Sequence, residues 1–129
     1  MKTLPTLHDT RLVEPRYKIE QMDLEFSNGE RRTYERIHGS GRPIVVIVPM
    51  LDRDTVLLTR EYAAGLHRYE LGLPRGRVDP GETLLEGAER ELKEEIGYGA
   101  RELLILRTVS LAPTYMSHMA HIVLARDLY

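Results

Sequence analysis

No cysteine and no tryptophan occur in this chain of 129 residues, and phenylalanine occurs once. The missing cysteine excludes disulfides, thiolate nucleophiles and cysteine-based zinc or iron–sulfur centres, and it fits a reducing compartment. Long apolar runs are lacking as well. The longest, "IVVIVPML", is far short of a membrane span, and the opening "MKTLPTLHDTRLVEPRYK" has no apolar core of signal-peptide length. A soluble, cytoplasmic protein without a membrane partner is therefore expected. A block of one charge is missing too: 18 Lys and Arg stand against 20 Asp and Glu, a formal charge of −2, and no basic run is placed to track a nucleic-acid backbone. No nucleic-acid partner is expected, whereas a small anionic ligand held with a cation stays open.

What is present is ordinary globular composition, 42% hydrophobic and 29% charged, enough for one compact domain with a core. Residues 1–15 mix polar residues with Pro5 and Pro15 without a clear period and read as an arm or a weak edge element. From Tyr17 onward, Leu24 and Phe26 alternate with Asp23 and Glu25, and Thr33 to Ile37 resumes an extended pattern. Asn28-Gly29 between these runs predicts a hairpin with a tight type I′ turn, which needs positive φ at both central residues. The polar, Gly-rich "HGSGRP" marks a boundary, so residues 1–42 read as an arm and β-hairpin subdomain and residues 43–129 as the main domain.

In the main domain, "PIVVIVPM" and "TVLLTREY" flank the polar "LDRD" and predict two apolar strands buried on both faces. The stretch "AAGLHRYELGLPRGRVDPG" is loop with short strand pieces, and "LLILRTVSL" and "HIVLARDLY" are strand-like. One helix is predicted, from Leu84 to Ile96. Thr83 as N-cap and Glu86 three residues on make a capping box, and Gly97 stands where a left-handed C-terminal cap is wanted.

That helix raises a question of charge. Leu84, Leu85, Ala88, Leu92 and Ile96 share the sector that packs on a sheet, and Glu91, Glu94 and Glu95 share an adjacent sector with Gly87. The wheel places no Lys or Arg among these three, and it spaces Glu86 and Arg90 for a surface pair. A solvated acidic face is the plain reading of any Glu-rich helix. Here the acidic sector borders the core, a Gly clears space on it, and a Gly-rich loop arrives at the helix start. Hard divalent cations take oxygen ligands, commonly one or two carboxylates with waters and substrate phosphates, and would offset the repulsion.

From Gly76 the chain runs five residues to Glu82, seven more, and then Arg90-Glu91-Leu92-Lys93-Glu94-Glu95-Ile96-Gly97-Tyr98. This resembles the complete signature box of the Nudix hydrolases, which act on nucleoside diphosphates linked to another moiety. It departs from the family pattern only at Tyr98, where an aliphatic residue is usual. The resemblance implies a Nudix α/β/α sandwich with a mixed sheet, behind an N-terminal β-hairpin subdomain. It implies Glu91 and Glu95 as the principal metal ligands, Glu94 as a further ligand or a participant through water, and the Arg75 backbone carbonyl facing the same metals. Glu91, Glu94 and Glu95 are then the catalytic set. Gly76, Glu82, Arg90 and Gly97 support the site, with Glu82 and Arg90 pairing to hold loop and helix together. The implied cofactor is Mg²⁺, with Mn²⁺ as the other candidate, and the implied chemistry is attack of a metal-activated water on one phosphorus of a diphosphate.

The hairpin, the "YELGLPRG" approach to the box and Pro113, fifteen residues after Tyr98, are similar to the ADP-ribose pyrophosphatase branch. The runs "MDLEFSNGERRTYER" and "VSLAPTYMSHMAHIVLARDLY" look closer to bacterial ADP compounds hydrolases. The implied substrates are ADP-ribose, reduced NAD and short diadenosine polyphosphates, with release of AMP, and the implied assembly is a homodimer through the N-terminal hairpin. Candidate substrate contacts are Arg60 to a phosphate, Glu70 to the nucleotide and Tyr115 stacked on adenine. Each has a plain alternative: Arg60 pairing with Glu61, Glu70 as a strand-end surface acid, Tyr115 in the core, and Pro113 as a turn residue. His118 and His121 read as solvated or structural. Two departures stand out. Ala63 falls where many ADP-ribose hydrolases carry an Arg, and the resemblance implies a loop with a catalytic Glu and a C-terminal helix past the point of Tyr129. Neither is in this chain, so a domain truncated at its C-terminus is expected. The absence of Trp sets aside the NADH-specific branch with its "SQPWPxS" motif. The rival reading from another class is a non-catalytic nucleotide sensor of the same fold.

Overall fold

The computed structural model describes residues 3–39 and 41–129. In chain order the elements are β1 (Ile19–Glu25), β2 (Arg31–Ile37), β3 (Ile44–Pro49), β4 (Thr59–Ala63), β5 (Arg68–Gly72), β6 (Arg75–Arg77), α1 (Leu84–Glu95), β7 (Ala100–Ser110) and β8 (Met119–Leu128). They form a β1–β2 hairpin, a β4–β5 ribbon and a four-stranded sheet in the order β6–β3–β8–β7. The four-stranded sheet is mixed, because β3 runs parallel to β8 while β6 and β7 are antiparallel to their neighbours.

The core forms where α1 lies on this sheet. Val45 and Ile47 of β3, Val123 and Ala125 of β8, and Ala88 and Leu92 of α1 have no solvent exposure, and Val78 and Ala100 close the edges. The half-buried Tyr98 packs against the same cluster, which accounts for an aromatic ring where an aliphatic side chain would serve. No second helix occurs among the described residues, so only one face of the sheet is roofed. This one-sided cover corrects the expected burial of β3 on both faces. Val45, Ile47 and Pro49 are buried, and the alternate residues Ile44, Val46 and Val48 are only half-buried. The partner expected from "TVLLTREY" also differs. Val56 makes an isolated bridge to Met50, and the strand proper starts at Thr59 and pairs with β5 outside the main sheet.

The hairpin stands where the alternation places it, with Ile19 opposite Ile37 and Glu25 opposite Arg31. Its turn is longer than expected. Phe26 N–H donates to the Glu30 carbonyl at 2.8 Å, enclosing a three-residue loop in which Gly29 has φ +85° and Asn28 is not left-handed. A type I turn closed by a left-handed glycine needs only one positive φ, so Asn28 is free to accept from Glu30 N–H at 3.0 Å. Ile37 N–H donates to the Tyr115 carbonyl at 2.7 Å and ties the hairpin to the β7–β8 turn. Residues 3–15 are exposed and without regular structure.

Candidate active site

The loop that carries the site is strapped at one end to β3 and at the other to Pro43, the residue just before that strand. Ile47 N–H donates to the Pro74 carbonyl at 2.8 Å and Val78 N–H to the Pro43 carbonyl at 2.9 Å. Between these straps Gly76 lies opposite Val45 in the sheet. The helix then begins on a full capping box: Thr83 Oγ1 accepts from Glu86 N–H and the Glu86 carboxylate accepts from Thr83 N–H, both at 3.1 Å. It stops at Glu95, one residue short of the expected end, where Gly97 at φ +85° donates to the Leu92 and Lys93 carbonyls. With Ala88 and Leu92 buried on the sheet, the flank of the helix carrying Glu91 and Glu95 is turned toward β6.

Two carboxylates meet the backbone there. Glu91, with a side chain only 13% exposed, lies against Gly76 so closely that a Cβ on Gly76 would fall on its carboxylate. Glu95 Oε2 accepts from Arg75 N–H at 3.1 Å. Its carboxyl is pushed above the ordinary Glu range, first by burial and then by the neighbouring charges of Glu61 and Glu91, with the Arg75 N–H working in the opposite direction. Glu94 points away and is 59% exposed. The structure thus brings Glu91, Glu95 and the Arg75–Gly76 backbone together and leaves Glu94 at the rim.

Arg90 links these groups. Its Nε and Nη2 donate to the two Glu82 oxygens at 2.8 and 3.0 Å, Nη1 donates to Glu91 Oε1 at 3.0 Å and Glu94 Oε2 at 3.3 Å, and Nη2 also reaches the Arg77 carbonyl at 2.9 Å. Asp79 lies 3.3 Å away and is held by Arg42 at 2.6 Å. This arrangement overturns two wheel-based expectations. Arg90 does not pair with Glu86, whose carboxylate is engaged in the cap, and the Glu91–Glu94 sector does contain a cation. The reason is reach: a guanidinium on a flexible stem folds across the helix toward Glu82, which the loop presents beside it. The network holds the Glu82 carboxyl below its usual value, through the Arg90 hydrogen bonds first and Asp79 N–H second, and raises the Arg90 pKa above its ordinary value.

The remaining candidates are more dispersed. Arg60 is exposed on β4 opposite Leu71, and no ion pair to Glu61 forms among the described residues. Glu70 sits on β5 opposite Glu61 and accepts from Arg68 Nε at 2.7 Å. Tyr115 is 54% exposed in the turn against the hairpin, and the half-buried Ala63 ends β4. His121 shares a 2.8 Å hydrogen bond with Thr108 Oγ1, and the His118 ring lies against Gly39. Three participants escaped the sequence reading: Glu61, felt electrostatically by Glu95, and the Arg42–Asp79 latch. Only the β4–β5 register and the loop path reveal them.

No three His, Asp or Glu side chains converge tightly enough to hold a metal by themselves among the described residues. A partly buried pair of carboxylates, one resisting ionisation, nonetheless suits a hard divalent ion of the kind that takes one or two carboxylates and completes its shell with water and phosphate oxygens.

The NUDIX domain family matches residues 41–127, and the N-terminal domain of NudE-type Nudix hydrolases matches residues 5–36. The chain belongs to the Nudix hydrolase family, and its mixed sheet with one helix is the Nudix fold. It is 52% identical to ADP compounds hydrolase NudE of Escherichia coli (strain K12) over 88% of its own length and 60% of that protein. It is 27% identical to an ADP-ribose pyrophosphatase of Bacillus subtilis (strain 168), over 82% of this chain and 56% of that one. A crystal structure of an ADP compounds hydrolase superposes with a TM-score of 0.82 at 50% identity, covering 94% of this chain and 65% of the other. The chain thus spans about 60% of the length of these relatives.

Proposed function

We propose that this chain forms the site of a divalent-cation-dependent hydrolase that cleaves the pyrophosphate linkage of ADP compounds, ADP-ribose, reduced NAD and short diadenosine polyphosphates, and releases AMP. The observation that carries the reading is the placement of Glu91 against Gly76 and of Glu95 on Arg75 N–H, in a chain similar to proteins named for ADP compounds and ADP-ribose. Glu91 and Glu95, with the Arg75 carbonyl, would hold Mg²⁺, or Mn²⁺ in its place, and Glu94 would join them on turning in from the rim. The bound ion supplies Lewis-acid stabilisation of charge on the diphosphate and a water nucleophile at neutral pH.

The chain's own residues do the rest. The Glu82–Arg90 fork fixes the loop to the helix, and the Arg90 contact to Glu91 Oε1 orients that carboxylate. Glu95 is fixed in place by the Arg75 N–H that donates to its Oε2. We assign substrate contact to Arg60 and Glu70 on the ribbon, whose Glu61 already lies within the electrostatic reach of Glu95, and to Tyr115. The unit is divided as residues 1–42, the arm and hairpin, and 43–129, the Nudix domain. We place it in the cytoplasm as a homodimer through the hairpin, with neither nucleic acid nor membrane as partner. Among the described residues no helix is long and apolar enough to cross a membrane.

A panel of ADP compounds with Mg²⁺, scored by AMP release, tests the reading. Glu95→Gln is expected to lower turnover by about 100-fold or more, exceeding the 10- to 100-fold typical of residues one shell removed from a metal. The same substitution should leave the metal-free melting temperature at pH 7 equal or higher, because it removes a carboxylate that burial disfavours. Tight ADP-ribose binding without turnover of any compound would point instead to a nucleotide sensor.

A further inference from the structure

A polar hollow lies between the hairpin subdomain and the main sheet, lined by side chains to which the hydrolytic chemistry assigns no role; Arg77 enters the carboxylate network only through its backbone carbonyl. The hollow has a volume of about 580 Å³ and is lined by Arg16, Tyr17, Lys18, His38, Arg77 and His118, with Gly39 in its wall and no carboxylate among the lining residues. We propose that this hollow is a binding site for a small phosphate-bearing anion.

The backbone explains why the cations gather. His38 N–H donates to the Lys18 carbonyl at 2.8 Å, extending the β1–β2 pairing by one step and placing Lys18 beside His38. Arg77 ends β6 opposite Ile44, at the edge of the sheet nearest this junction. Gly39 lets the His118 ring lie across the chain, since a Cβ there would stand 2.7 Å from two ring atoms. A neighbouring hollow of about 500 Å³ shares His38, Gly39 and His118 and adds Arg36, Arg42 and His121. Its acid, Glu20, is bound to His38 and Arg36 at 3.2 Å. Arg42 is held by Asp79. Arg16, Lys18 and Arg77, all exposed, form no ion pair among the described residues, in a protein whose net charge is −2.

Like charges held together in a concave wall repel one another and focus a positive potential, and an anion relieves that repulsion. Phosphate suits this lining, because guanidinium and ammonium groups form charge-assisted hydrogen bonds to its oxygens and an imidazole N–H adds another. Tyr17, 61% exposed at the rim, offers a ring face to a base attached to the phosphate. The volume suits a mononucleotide.

The test uses the full chain in EDTA, so that the carboxylate site is unloaded and the result is independent of hydrolysis. Inorganic phosphate and AMP are titrated separately, followed by backbone amide and histidine NMR shifts and by calorimetry. Saturable binding of either, with shifts at Lys18, Gly39 and His118, is expected, and tighter binding of AMP assigns the source to a nucleotide. The Arg16→Gln/Lys18→Gln variant, both positions being exposed, should keep its melting temperature and weaken binding by about tenfold or more, the scale of one lost charge-assisted hydrogen bond. Arg77→Gln should do the same. Shifts confined to Arg75, Gly76 and Glu91 to Glu95, the absence of saturation, or unchanged affinity in both variants would overturn the proposal.

Discussion

At position 76 a hydrogen atom is the whole side chain, and the site depends on it. Gly76 is constrained by space, since Glu91 occupies the volume a methyl group would need. Gly76→Ala should therefore displace the Glu91 carboxylate, and on the metal-holding role proposed for Glu91, where a misplacement of about 1 Å can cost 10²-fold, a loss of roughly that size in kcat is expected in a steady-state assay. Two carboxylates one loop apart respond to pH in opposite senses. Glu82 is held below the ordinary Glu value by Arg90 and Asp79 N–H, so the folded protein binds fewer protons than the unfolded chain in the window below that value. Its stabilising contribution is complete above the ordinary Glu range and is lost as pH falls through its lowered folded value. Glu82→Gln should flatten the acid limb of a melting-temperature profile between about pH 6 and pH 3, relative to the unmodified protein. Glu95, raised by burial, acts the other way: its favourable contribution is present below the unfolded Glu value and disappears as pH rises through the folded one.

Among the elements, α1 was the most legible in the sequence, because its signals are local. The Thr83–Glu86 box, the apolar period and Gly97 act within a turn of their own positions, and the helix appears within one residue of the expected span. The partner of Arg90 was not legible, since the i, i+4 rule sees only the helix and Glu82 lies off it. Arg90→Lys retains the charge and loses the fork that serves Glu82, Glu91 and Glu94 together. A 10- to 100-fold weaker divalent-cation affinity is expected, measurable by calorimetry, with the helix content unchanged in far-ultraviolet circular dichroism. For the strands, alternation located β1 and β2 and strand-like runs located β7 and β8, while the apolar run that includes β4 was misjudged, because β4 pairs with β5 apart from the sheet. An apolar run states how much surface a strand can bury; it does not state which neighbour will bury it.

At the scale of the molecule, one helix among the described residues covers one face of the four-stranded sheet. The other face carries Val46, Val48, Ile122 and Leu124, all half-buried, beside Leu104, 42% exposed. The hairpin meets the sheet through the β7–β8 turn, where Ile37 bridges Met116. We expect the hairpin to carry the dimer contact. Sedimentation velocity at micromolar concentration should give a dimer for residues 1–129 and a monomer for residues 43–129; a monomeric full chain would remove the hairpin-mediated assembly.

Taken alone, the sequence determined the carboxylate helix, its caps, the hairpin and the family box, because those depend on residues close together or at set spacing. Tertiary structure decided which carboxylates share a site. Glu91 and Glu95 are drawn to the Arg75–Gly76 backbone by the packing of Leu92 and Ala88 on the sheet, Glu94 is left at the rim with Arg90, and Glu61 enters from a ribbon about thirty residues earlier in the chain. Helical spacing fixes angles about one axis, whereas the local dielectric and the nearest opposite charge depend on every chain segment that folds against that helix.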